Sequence, residues 1–73
     1  MSTSLTPRSS PASAARTVRE GLADFFGDQA MITYHEVRKQ PPGPDRSAAI
    51  ELGMLESSIA TYWVLRAKFG PPA

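Results

Sequence analysis

The one imidazole of this chain, His35, stands beside Glu36. A histidine with a carboxylate is the simplest general-base device a sequence can offer. Adjacent residues on a helix point in different directions, however, so these two cannot share a proton. The chain has no cysteine, no Gly-rich phosphate loop and no group of carboxylates around the histidine. Nucleophilic, phosphoryl-transfer and acid–base catalysis therefore lack their residues. His35 has no neighbour at a metal-ligand spacing. No catalytic residue, metal or cofactor is expected, and the protein is not read as an enzyme. The chemistry that remains is recognition by guanidinium and ammonium groups, hydroxyls and aromatic rings.

The charges are nearly balanced, with eight basic and seven acidic side chains in 73 residues. That is not the excess that marks a strong nucleic-acid or membrane binder. They are unevenly placed. Arg8, Arg16 and Arg19 begin the chain without an acid among them. Glu20, Asp24, Asp28 and Glu36 come next without a base, and the remainder is mixed. No apolar run approaches the roughly 18 residues that cross a bilayer, and the N-terminus lacks the apolar core of a secretory signal. Its acid-free, serine-rich start resembles an organellar transit peptide. The plainer expectation is a flexible tail on a cytoplasmic protein.

A chain of this length holds one domain at most and buries only about 60% of its unfolded surface. No disulfide can staple it, so association with a second copy is the expected source of further stability. Residues 1–10 are rich in Ser, Thr and Pro and are expected to form a flexible, disordered arm. Residues 11–70 are expected to form a single helical domain, and 71–73 a tail.

Ser10 before Pro11 suits a helix start. Ala15, Val18, Leu22, Phe25 and Phe26 then trace an apolar helical stripe, which Gly27 is expected to end. Asp28 can cap a second segment to Gln40. Its Met31, Tyr34 and Val37 suit a helix face, although "MITYHEV" also reads as a strand. Helix is favoured because no second strand is present to pair with it. "PPGPD", from Pro41 to Asp45, is a hard stop. Asp45 or Ser47 can cap the next helix.

From Arg46 to Gly70 the helical pattern is interrupted by Gly53. Ala49 lies four residues before it. Leu52 and Met54 flank it. Ile59 lies six residues after it and Tyr62 three further on, with Ser57 and Ser58 between. This pattern resembles the helix-turn-helix DNA-binding superfamily, in particular the compact repressors of plasmids and phages. There the small residue allows the second helix to cross closely, and the glycine takes the positive φ of the turn. The resemblance covers about a third of the chain. It departs at Tyr62, where an aliphatic residue is usual.

The resemblance implies an all-α bundle of three to four helices containing a helix-turn-helix, with Ala49, Leu52, Gly53, Met54, Ile59 and Tyr62 as motif core. It implies a second helix in the major groove of double-stranded DNA. Glu56, Ser57, Ala60, Thr61 and Val64 are then the candidate base contacts. Arg38, Lys39, Arg46, Ser47 and Ser58 are the candidate phosphate contacts, and Arg8 could reach a minor groove from the arm. Leu22, Phe25, Phe26 and Trp63 are candidates for a homodimer contact.

Two functions are expected from these readings. The first is a DNA-binding transcriptional repressor acting as a homodimer. The second is a helical protein-interaction module, antitoxin-like or an accessory subunit, in which Glu56, Val64 and Trp63 meet a protein partner. The modest charge and the acidic start of the second helix favour the module. The spacing of Ala49, Gly53 and Ile59 favours DNA.

Overall fold

A computed structural model describes residues 10–72. The expected arm, with Arg8, lies outside these residues except for Ser10. Two long helices account for the rest: α1, Pro11–Val37, and α2, Pro44–Phe69. They lie side by side as a hairpin. The molecule is all-α as expected, but it is neither a bundle of three to four helices nor a helix-turn-helix.

The start of α1 is the expected one. Pro11 occupies the first turn, and the Ser10 hydroxyl oxygen accepts from the Ser13 amide at 3.1 Å. The expected end at Gly27 is absent. The helix continues through "GDQAMITYHEV", so residues 28–37 are helical without Asp28 as their cap. Gly27 costs about 1 kcal/mol relative to alanine in a helix. The continuation outweighs that cost because it extends a seam: Ala23, Ala30 and Val37, one every seven residues, are the buried apolar residues of α1.

Pro41, Pro42 and Pro44 enforce the hairpin turn. Gly43, rather than Asp45 or Ser47, occupies the N-cap of α2, and no side chain caps it. At the far end Gly70, with φ of 81°, closes α2 by donating its amide to the Arg66 carbonyl at 2.8 Å. This backbone conformation favours glycine.

The corner expected at Gly53 does not exist. α2 runs unbroken through it, and the only glycines at positive φ among the described residues are Gly43 and Gly70. Gly53 is glycine for a different reason. A Cβ built on it would stand 2.8 Å from Cε1 and 2.9 Å from Cζ of Tyr34 on α1. The Tyr34 ring lies against the bare backbone of α2, where no side chain fits. Around this contact the seam is lined mainly by small residues, Ala23 and Ala30 from α1 and Ala49, Gly53, Ser57 and Ala60 from α2, with Tyr34 and Val37 as its larger members. All of these are buried or half-buried. Small residues let two helices approach closely.

The close approach has an energetic counterpart. Among the described residues the buried apolar side chains are Ala23, Ala30, Val37 and Ala60. Each buried CH₂ is worth about 0.8 kcal/mol and a fully buried leucine about 1.5–3 kcal/mol. This seam sets the geometry but stabilises it weakly. Thr33 adds one polar link, its hydroxyl donating to the Glu56 carboxylate at 2.5 Å across the two helices.

The origin of Gly53 is testable by paired substitutions. At Gly27 nothing lies within 4 Å of an added Cβ, so Gly27→Ala should stabilise the protein by about 0.5–1 kcal/mol in urea denaturation. Gly53→Ala should show no such gain. In a Tyr34→Ala background it should recover about 1 kcal/mol. Equal gains from Gly27→Ala and Gly53→Ala in the parent chain would remove the ring as the cause.

Candidate functional site: the open face of the hairpin

With mostly small residues in the seam, most of the large apolar residues lie elsewhere. Leu52, Leu55, Ile59 and Tyr62 succeed one another at spacings of three, four and three along α2, in one row that passes beside Gly53. They are 51%, 55%, 38% and 48% exposed. On α1 the row Val18, Leu22, Phe25 and Gln29 has a matching three-and-four spacing, and Phe26 lies beside it.

The two rows lie on the same side of the hairpin. Val18 and Leu22 line one groove of about 430 Å³ together with Tyr62 and Trp63. Further along, Thr33 and Glu56 meet on that side too. Within the face the rings of Phe25 and Phe26 pack edge to face at 5.2 Å, and those of Tyr62 and Trp63 at 5.0 Å. Each helix therefore carries two seams, one small and used within the chain, one large and open to solvent.

The opposite side is different in character. Val64 lies there among Arg16, Glu20, Asp24 and Lys68, with Arg16 paired to Glu20 at 3.4 Å, and nearer the turn exposed Met31 and Ile32 line a second groove with Tyr34, His35 and Arg38.

The open face is charged at both ends. Toward the open end of the hairpin, Arg19 and Arg66 line the groove with Trp63. The Nε atom of each is buried without a hydrogen-bond partner, and the Arg66 guanidinium lies 5.8 Å from the centroid of the Tyr62 ring. Toward the turn, Glu36 and Glu51 extend from the two helices. Glu36 is held by Lys39 at 3.3 Å, and Glu51 is exposed.

The expected DNA contacts are dispersed by this geometry. Of the candidate base contacts, Ala60 is buried in the seam. Ser57 is half-buried beside it, and Glu56 is engaged by Thr33. Only Thr61 and Val64 are exposed, because a continuous α2 turns its Gly53–Ala60 stripe onto α1. Among the candidate phosphate contacts, Arg38 and Ser47 are exposed and Lys39 is paired with Glu36. Arg46 is half-buried, and the Ser58 hydroxyl donates to the Met54 carbonyl at 2.9 Å. The motif core divides in the same way. Gly53 is buried and Ala49 half-buried, whereas Leu52, Met54, Ile59 and Tyr62 are exposed.

Of the dimer candidates, Leu22 and Trp63 line one groove, while Phe25 and Phe26 pack on each other along α1. Leu55, Val18 and Gln29 belong to the open face, and sequence reasoning misses them as contacts. The signal that finds them is the seven-residue repeat, which is visible on α2 only when the helix is read across Gly53.

His35 is exposed on α1, and no group of three or more metal-ligating side chains occurs among the described residues. Among them, no helix is long and apolar enough to cross a membrane.

The division between the seam and the outside of the hairpin predicts opposite responses at neighbouring positions of α2. Ala60→Leu forces a branched side chain between the helices and should destabilise the protein by about 1–3 kcal/mol. Val64→Leu, on the exposed opposite side, should change stability by less than about 0.5 kcal/mol. Chemical denaturation of the two variants distinguishes them. Equal tolerance at both positions would contradict a closed seam at Ala60.

No family model, no curated protein and no solved structure matches this chain.

Proposed function

We propose that the chain is a helical protein-interaction module, acting by covering the open face of its hairpin with other helices. One observation carries this reading. Leu52, Leu55, Ile59 and Tyr62 stand exposed in one row on α2, while the contact between the two helices is filled mainly by alanine and glycine, with Tyr34 and Val37 as its larger members. A two-helix layer of this kind buries too little to be a finished core.

DNA recognition through a helix-turn-helix needs a free second helix with base-reading groups on its outer ridge. The exposed side chains of α2 include Glu51, Leu55, Ser58, Tyr62 and Leu65. A carboxylate among apolar groups suits a helical partner better than a groove lined by phosphates.

The experiment is titration of a fluorescent random-sequence duplex with the protein at ~50 mM salt, where phosphate contacts are strong. The expected outcome is no saturable change in anisotropy and no change in the emission of Trp63, the single tryptophan. Saturable binding whose logarithm falls with log salt at about −0.9 per phosphate contacted would overturn the module in favour of a DNA binder.

A further inference from the structure

Resting on the interaction-module reading, we infer that the partner covering the open face is a second copy of this chain, laid antiparallel to form a four-helix bundle with the turn of each hairpin over the open end of the other.

Size supports the second copy. A face about 39 Å long, from 26 residues at 1.5 Å each, and about 20 Å wide offers on the order of 800 Å². That is about what each partner contributes to a stable interface. A repeat of seven on both helices is the pattern by which helices of a bundle interlock.

The charges fix the orientation. A two-fold axis lying in the interface along the helices would put both open ends together, crowding Arg19 and Arg66 of each copy at one level. A two-fold axis across the helices separates these four guanidinium groups. It brings each pair toward the partner copy's turn end, where Glu51 stands exposed and Glu36 is shared with Lys39, beside Arg38.

The register agrees. One turn from the Thr33–Glu56 link toward the open end, Gln29 and Ile59 share a level. Arg66 and Glu51 lie about two turns from Ile59 in opposite directions. A twofold centred at Gln29 and Ile59 therefore sets Arg66 within reach of Glu51 of the other copy. It also sets the two Gln29 side chains against each other, where an amide can both donate and accept. A single polar pair in an apolar interface is a known means of specifying register. Within one chain, Arg66 and Glu51 are about 22 Å apart along α2 and cannot pair.

Three variants test this by sedimentation equilibrium and oxidation. The parent chain should be a dimer, and Trp63 emission should shift to the red on dilution. Arg66→Glu should weaken the dimer about tenfold, and Arg66→Glu with Glu51→Arg should restore it to within about threefold. These positions lie outside the seam, so helix content measured by circular dichroism verifies that each variant folds. The parent has no cysteine, so Gln29→Cys alone should form a disulfide-linked dimer rapidly.

A dimer in which Gln29→Cys fails to cross-link, or in which the double charge reversal restores nothing, overturns the antiparallel arrangement and leaves the module intact. A folded monomer whose face binds an apolar fluorescent dye overturns the second copy as partner. A folded monomer that binds no such dye overturns the module itself.

Discussion

The rest of this structure depends on how closely α2 can approach α1. At Gly53 the approach is limited only by backbone, and the Tyr34 ring occupies the space a side chain would need. Alanines and a serine extend the same clearance along the seam. A seam of mostly small residues has a geometric consequence: apart from the Tyr34 ring over Gly53 and buried Val37, the large apolar side chains of the two helices are left partly or largely exposed. They are displaced onto the flank, and on one side of the hairpin they fall into register from both helices. The close contact and the open apolar face are thus two aspects of one constraint.

That constraint ties folding to association. Most helical stability in proteins comes from an amphipathic face packed against something rather than from propensity. Here the face packed within the chain carries alanine and glycine, and the face able to contribute most is outside. Whatever covers it adds to the stability of the hairpin by mass action, so the population of folded chain rises with the concentration of its partner. In the proposed module, folding would respond to partner concentration through its own equilibrium, without needing a hinge or a ligand. The Thr33–Glu56 hydrogen bond and the prolines of the turn keep the two helices registered, so the face is laid out before it is met.

Much of the helical content is legible in the sequence. Ser10 with Pro11 announces the start of α1, the proline run announces the turn, and the spacing of Met31, Tyr34 and Val37 favours helix between Asp28 and the turn. The boundaries inside are not legible, because glycine is ambiguous there: Gly27 is merely tolerated within a continuing helix, with nothing within 4 Å of an added Cβ, whereas Gly53 meets the Tyr34 ring. A glycine at the end of a helical pattern can be a left-handed cap or a site of close approach. Only the neighbour across space separates the two. Tyr34, nineteen positions before Gly53, carries no local sign of that role. Splitting α2 at Gly53 then hides the row Leu52, Leu55, Ile59 and Tyr62, and places Glu56, Ser57 and Ala60 on an outer face when they look inward. Of the residues named for a dimer contact, Leu22 and Trp63 need only the periodicity of α1 and the size of the indole to be picked out, and these two share a groove.

The division of labour on the open face comes from the physics of each group. Apolar area is non-directional, so Leu55, Ile59, Phe25 and Tyr62 can drive association but would accept several orientations of another apolar helix pair. Discrimination has to come from groups that lose something when misplaced. A guanidinium whose Nε already lacks a partner, such as that of Arg66, is such a group. Against a like charge it is penalised, and against apolar surface it is left desolvated and unpaired. Arg19 and Arg66 sit at one end of the face and the glutamates at the other. The face is therefore not equivalent under reversal, although its apolar centre nearly is. A partner that presents acids at its turn end and bases at its open end fits in one direction, and this chain is itself such a partner.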